Sequence, residues 1–472
     1  MPEYKWNVLI LTTIGTFMTS LDGSILNIAI PTLSQDLKAT FEIVQWIPII
    51  YLLVMAVTLI AFGRLADLKG KRKFFLLGLG AFTFGSLLSA IAWAGEVLIV
   101  FRAIQAVGGS FITATAIAIV TESFPKQETG KALGINVAGI YLGLVLGPVL
   151  GGFLVQALTW RSIFFINLPI GICLITFSYF KIKESEIIVK EEKFDVAGTI
   201  VFGIFLASFL VALTLGNRMG WGSVLILTLL IVAVIGFSAF ILIERRVEFP
   251  MIPLSLFRRN RIFAAANSAA LVNYIATMGV GFLLSIYIQS IIGYSPSITG
   301  LLLLPTPLMM AITSPLSGRY SDKVGTRYLC ASGMGVMALG FAVLVLILLF
   351  SPIEFVLLSQ CIIGIGIGLF SSPNQSAIMK SVEKKQFGIA SGTLSTMRVT
   401  GQSISIALLS AILSIFILPT ILNEILAHQY AGDPSTIQLP FLEGLVAAFI
   451  VTICLCIFGA LLSLVRGKEG KN

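Results

Sequence analysis

The stretch Gly63-Arg64-Leu65-Ala66-Asp67-Leu68-Lys69-Gly70-Lys71-Arg72 closes one apolar run, and it recurs as Gly318-Arg319-Tyr320-Ser321-Asp322-Lys323-Val324-Gly325-Thr326-Arg327 behind another. Gly, Arg, Asp, Gly and Arg match at an offset of 255 positions, and the same offset carries Gln105 onto Gln360 and Gly109 onto Gly364. A repeat of this length marks a structural unit used twice. Outward from it, fourteen apolar stretches are long enough to cross about 30 Å of hydrocarbon at some twenty residues each. Their centres lie near Thr16, Met55, Gly85, Gly109, Gly143, Ile172, Phe205, Leu229, Thr277, Met309, Val343, Ile365, Ser405 and Val451. The two motif copies follow the second and tenth stretches, so eight helices separate equivalents. Two six-helix halves, residues 1–194 and 262–472, with two inserted helices at 195–243 and a cytoplasmic linker at 244–261, are the simplest account. Internal duplication of this kind characterises secondary transporters.

The composition agrees with a polytopic all-α membrane protein. Of 472 residues, 57% are hydrophobic and 11% charged, against about a quarter charged in a soluble domain; the mean hydropathy is +1.00. A soluble globular protein is excluded. The net charge of +9 would suggest nucleic acid in a soluble chain, but here it is an insertion signal. With the N-terminus inside, 26 of the 31 Lys and Arg fall in inner segments, three in outer ones (Lys38, Arg161, Arg218) and two, Arg102 and Arg398, inside spans. Both termini are thus expected in the cytoplasm, and no nucleic-acid partner is indicated. The first span lacks an Ala-x-Ala cleavage site and reads as a retained helix. One His and five Cys leave little for metal clusters. Cys173, Cys330, Cys361, Cys454 and Cys456 read as apolar filler. His428, in the longest outer loop, reads as polar surface, with a pH sensor as the alternative. The mixed-sign segment Lys181 to Asp195 is solvated loop.

The Gly63 to Lys73 segment resembles the loop signature between the second and third helices of the major facilitator superfamily. Its glycines permit close approach and a tight turn, Asp67 ends a helix, and the basic run stays at the headgroups. The resemblance implies a cytoplasmic gate built from Gly63, Arg64, Asp67, Gly70, Lys71 and Arg72 and the second copy Gly318, Arg319, Asp322, Gly325 and Arg327, latching the halves in the outward-open state. Gly139, Gly143, Gly147 and Gly151 recur every four residues beside Pro148 and Gly152 and make one bare helix face. Small residues at that spacing serve helix packing; the run also resembles the fifth-helix motif of the superfamily's antiporters, which implies export. Leu21-Asp22-Gly23-Ser24-Ile25-Leu26-Asn27-Ile28-Ala29-Ile30-Pro31 and Trp160-Arg161-Ser162-Ile163-Phe164-Phe165-Ile166-Asn167-Leu168-Pro169 are similar to signatures of the fourteen-helix drug:proton antiporters, with Ser24 in place of the usual Thr.

Asp22 is an acid well inside a span, and a carboxylate in hydrocarbon marks a functional site by default. From a helix start near Asn7 it lies about 22 Å from the inner surface, and Arg102 lies about 7 Å below the outer one, so the two can share a level. Arg102 also sits in a stretch that resembles the superfamily's fourth-helix motif, whose Arg is implicated in proton transfer. Asp22 is therefore the expected proton carrier and Arg102 its modulator, since burial opposes ionisation and a guanidinium favours it; a static ion pair is the other reading. Arg398 either faces the central cavity and attracts an anionic or electron-rich substrate, or bonds carbonyls of a neighbouring helix. Asn27, Gln105, Tyr141, Tyr274, Gln289, Gln360, Asn374 and Gln375 are candidate cavity lining. The tenth span has no acid, so permanent dications are doubtful substrates.

No P-loop sequence occurs, so energy must come from a gradient. The expectation is a proton-coupled exporter of amphiphilic small molecules, monomeric, without cofactors beyond the coupling proton, in a prokaryotic cytoplasmic membrane. An exporter or flippase dedicated to one lipid or metabolite is the alternative, and an intramembrane enzyme or sensor the remote one.

Overall fold

In hydrocarbon every backbone N–H and C=O must be satisfied within its own segment, so an apolar chain of this length crosses as helices. The computed structural model describes residues 2–466, apart from 126–127, 185–194, 249, 251, 253, 351, 383–386 and 427–433. His428 and most of the Lys181 to Asp195 loop fall outside the described residues, as do the side chains of Asp67 and Asp322. Among the described residues fourteen helices are long and apolar enough to span a membrane, from Tyr4–Leu37 to Ile437–Leu464, and each contains one of the centres read from the sequence. No strand occurs among the described residues.

Helix ends and breaks follow local chemistry. The second span ends at Gly70 with φ +105° and the tenth at Gly325 with φ +88°, a left-handed conformation that only glycine adopts cheaply. The repeat thus places the same turn at the same point of both halves. The sixth span is interrupted at Ile166, between Ser162–Phe165 and Asn167–Lys181. Pro169 cannot donate to the carbonyl four residues back, so the helix restarts at Asn167. The tenth is interrupted at Leu304, before Pro305.

The helix pairing shows the duplication in space. In the first half the first span packs on the fifth, the fourth on the second and third, and the third on the sixth. In the second half the ninth packs on the thirteenth, the twelfth on the tenth and eleventh, and the eleventh on the fourteenth, each eight helices later. Of the inserted pair, Val196–Met219 lies against the second and thirteenth spans, one from each half. Trp46 Nε1 donates to Thr214 Oγ1 at 3.2 Å, and Asn217 Nδ2 donates to the Ala411 carbonyl. Val224–Glu244 packs outside it and presents Val224, Val234 and Ile235 to lipid. The insert therefore covers one side of the seam between the halves.

At the outer end three hydrogen bonds cross directly from half to half. Phe41 N–H donates to Asn423 Oδ1 at 2.6 Å, Ser285 Oγ to the Asn27 carbonyl at 2.6 Å, and Gln289 Nε2 to the Ile28 carbonyl at 3.0 Å. A π-helical turn at Tyr287–Ile291 aims Gln289 at that carbonyl. On the opposite side of the bundle a Cβ on Gly152 would lie 2.6 Å from the Pro296 carbonyl, so the fifth and tenth spans are in backbone contact there.

The glycine face of the fifth span lies on the first span. A Cβ on Gly143 would sit 2.7 Å from the Phe17 carbonyl oxygen, and one on Gly151 3.0 Å from that of Ile25. Ser24 Oγ completes the seam by donating to the Gly143 carbonyl at 3.1 Å. Gly143→Ala must push these helices apart, whereas a Cβ on Gly80 meets nothing within 4 Å. Melting of the detergent-purified chain is expected to show a loss of about 1–3 kcal/mol for Gly143→Ala and none for Gly80→Ala; equal melting of the two variants would contradict the close-contact account.

Candidate functional site

The most concentrated polar chemistry in the bundle lies where the first, third, fourth and sixth spans meet. Asp22 and Arg102 are each only 1% exposed. Arg102 Nη1 donates to Asp22 Oδ2 at 2.5 Å and to Gln105 Oε1 at 2.6 Å. Gln105 Nε2 in turn donates to Asp22 Oδ1 and to Ser86 Oγ, both at 2.8 Å. Asn167 Nδ2 reaches Asp22 Oδ1 at 3.0 Å and Ser86 Oγ at 3.3 Å. The carboxylate thus receives one charged and two neutral donors. The guanidinium is sandwiched, its carbon 4.4 Å from the Tyr51 ring centre and 5.6 Å from that of Phe164, which supplies cation–π attraction in a dry site.

Local structure accounts for this convergence. Arg102 and Gln105 stand three residues apart on one helix and share a face. The break before Asn167 starts a new helix there, with its side chain in the bundle interior. Gly85 lets the third span touch the fourth, because a Cβ there would lie 2.6 Å from Gln105 backbone atoms. Asn167 and Ser86 were not singled out as site residues from the sequence, although Asn167 stands in the sixth-helix motif quoted above.

The candidate cavity residues separate into three groups and one exposed residue. Tyr141, Tyr274 and Arg398 come together: Arg398 lies within electrostatic range of both tyrosines, and the Tyr141 hydroxyl faces Ser314. Asn27 and Gln289 lie on the outer seam between the halves. Gln105, Gln360 and Asn374 are each buried inside their own half and do not face the Arg398 group. Gln105 belongs to the Asp22 cluster. Gln360 accepts from Thr306 Oγ1, and Asn374 donates to the Ala266 carbonyl at 3.2 Å while accepting from Arg466. Gln375 is exposed and makes no hydrogen bond among the described residues.

Arg466 follows the last helix, which ends at Leu464, but is not exposed there. It is 2% exposed, and its Nη1 donates to Cys330 Sγ at 3.2 Å, so Cys330 is more than filler. All five cysteines are free, and no group of residues able to hold a metal occurs among the described residues. At the inner surface, Lys71 pairs with Glu122, and Arg72 Nη2 donates to the Tyr179 carbonyl at 2.5 Å, so both are engaged within their own half. A Cβ on Gly63 would meet only Ala114, at 3.5 Å, and one on Gly318 would meet Ser372 Oγ at 2.5 Å. Arg319 is exposed, and Arg327 lies 5.5 Å from the Tyr328 ring centre.

The model of the Major Facilitator Superfamily matches residues 12–406. The chain belongs to this family. The riboflavin transporter RibZ of Clostridioides difficile is 35% identical over 415 residues, 88% of each protein. The multidrug resistance protein Stp of Mycobacterium tuberculosis is 33% identical over 419 residues, 88% of this chain and 76% of that protein. Among solved structures, a bacterial homologue of the human lysosomal transporter Spinster, inward-facing and unoccupied, superposes with a TM-score of 0.71 at 16% identity over 98% of this chain and 97% of the other. The molecule is a multi-pass cell-membrane transporter of the superfamily.

Breaking a buried ion pair leaves an uncompensated charge, at a cost of about 3–5 kcal/mol, whereas removing both partners costs less. Asp22→Asn and Arg102→Gln are each expected to lower the stability of the purified transporter by amounts that do not add in the double variant. Additive losses in a double-mutant cycle would show that the pair does not act as a unit.

Proposed function

We propose that this superfamily member is a proton-coupled antiporter that exports amphiphilic small molecules by alternating access. The observation that carries the reading is the Asp22–Arg102 pair: a carboxylate sealed in a membrane bundle beside a guanidinium. Both protonation states of Asp22 have a use. Ionised, it binds Arg102, Gln105 and Asn167 and ties the first span to the fourth and sixth. Protonated, it has lost its hold on Arg102, and the same helices are free to shift. A helix rearrangement that withdraws Arg102 lowers the cost of taking up a proton, and a proton that arrives favours that rearrangement. Export is supported by the resemblance of the glycine face at Gly139, Gly143, Gly147 and Gly151 to the fifth-helix motif of the superfamily's antiporters, and this face packs the fifth span onto the Asp22 helix. The cytoplasmic gate role of the Gly63–Arg72 and Gly318–Arg327 segments belongs to the same reading. Broad specificity is supported by relatives named as multidrug resistance proteins, Stp among them.

A cargo restricted to one metabolite is the second reading, favoured by the 35% identity to a protein named as a riboflavin transporter. The two readings share the coupling site and differ only in what the cavity accepts.

The test is efflux of a panel of fluorescent amphiphiles from cells carrying the transporter, with and without an uncoupler. Lower dye accumulation is expected, reversed by the uncoupler and weakened at least about ten-fold by Asp22→Asn. Uncoupler-sensitive efflux that survives Asp22→Asn would end the assignment of the proton site, and an inert panel would favour the single-metabolite cargo.

A further inference from the structure

The cluster around Arg398 has no role in proton coupling as argued above, and its charge is unanswered. Arg398 is half-buried and makes no hydrogen bond or ion pair among the described residues. The carbonyl-bonding alternative is therefore unoccupied in this structure. Counted from the inner ends of their spans, Tyr141, Tyr274, Ser314 and Arg398 lie between about 10 and 20 Å deep, the middle of the bilayer. They come from the fifth, ninth, tenth and thirteenth spans, hence from both halves. Gly401, one turn from Arg398 on the same face, lets the Tyr274 side chain close up, since a Cβ there would lie 2.8 Å from that of Tyr274. None of these four spans contains an Asp or Glu, and the carboxylate of Asp22 is turned away and filled by its own donors.

A guanidinium at mid-membrane depth without a counter-charge is costly unless it faces water or a ligand. We infer that Arg398, Tyr141 and Tyr274 form the head-group site for a planar aromatic anion: the guanidinium forks onto a carboxylate or sulfonate, and the two phenols flank the ring system. The fork geometry of Arg matches such groups with two parallel N–H donors. Each tyrosine offers a hydroxyl donor to the anion and a ring face to the aromatic body. Because residues of both halves build the site, it exists complete only while the halves are in register, as an alternating-access site requires. The inference rests on the transporter reading and narrows its cargo to anionic aromatics; it does not need the coupling proton.

The experiment is equilibrium binding to the purified full-length chain in mildly alkaline buffer, using fluorescein, an anion, and a rhodamine cation of the same xanthene skeleton. The wild type is expected to bind fluorescein at least about ten-fold more tightly than the rhodamine. Arg398→Gln is expected to abolish that preference by weakening fluorescein alone, and Arg398→Lys to restore part of it. Tyr141→Phe with Tyr274→Phe, which keeps the rings, is expected to weaken fluorescein by a smaller factor and provides an independent reading if Arg398→Gln does not fold. Absence of saturable fluorescein binding, equal affinity for both dyes, or a preference unchanged by Arg398→Gln would overturn the site. Since binding needs no gradient, a chain that selects fluorescein through Arg398 while its uncoupler-sensitive efflux survives Asp22→Asn would defeat the coupling reading and leave this one standing.

Discussion

The constraint on which the first half depends is that a charge removed from water must find its whole solvation shell in neighbouring side chains. Asp22 meets it with Arg102, Gln105 and Asn167 drawn from two other helices, and Ser86 of a third helix holds both amides in place. Lipid supplies no hydrophobic drive between helices, so close packing and hydrogen bonds must hold the bundle together. The glycine contacts bring the first and fifth spans near enough for packing, and the polar cluster fixes their register against the third, fourth and sixth. Neither works alone, because a donor displaced by an ångström no longer satisfies a buried carboxylate.

The duplication makes the asymmetry of the two halves informative. At the 255-residue offset Asp22 corresponds to Thr277 and Arg102 to Leu357, while Gln105 keeps its counterpart in Gln360. The second half thus preserves the neutral member of the network and has lost both charges. Thr277 bonds within its own helix, to the Asn273 carbonyl, and Gln360 turns to Thr306. Among the described residues the buried carboxylate–guanidinium pair belongs to the first half alone, and the second half contributes buried or half-buried cations, Arg398 toward the centre and Arg466 toward the inner end of its own bundle. The two copies share helix packing and diverge in what the helices carry.

What the sequence made legible was depth. Hydropathy set the fourteen spans, Lys and Arg their orientation, and the rise per residue put Asp22 and Arg102 at one level. Rotation about each helix axis was not legible, and the misplaced cavity residues fail in that coordinate. Gln105, Gln360 and Asn374 stand at cavity depth but point into their own half, because an amide in a span is as well served by a buried partner as by cavity water. Arg466 follows the end of the last helix, yet Cys330 and Asn374 offer it buried acceptors. Asn167 was readable only as part of a motif; its contact with Asp22 depends on the helix break before it, which no periodicity reveals.

On the proposed reading, the proton site and the cargo site are separate, so the bundle must carry the coupling between them. The fifth span is the element that touches both. Gly143 and Gly147 bracket Asp22, packing against Leu21 and Ile25 of the first span, and Tyr141, two residues before Gly143, belongs to the central cluster. Farther out on the same helix, Pro148 and Gly152 meet the tenth span of the other half. A side-chain face made of glycine permits sliding but no slack, since backbone lies on backbone and a shift of one helix is passed to the next. Release of the first span by protonation of Asp22 is therefore felt at Tyr141 and at the seam with the tenth span without any contact between proton and cargo. On this reading coupling depends on the Asp22 cluster and specificity on what stands around Arg398.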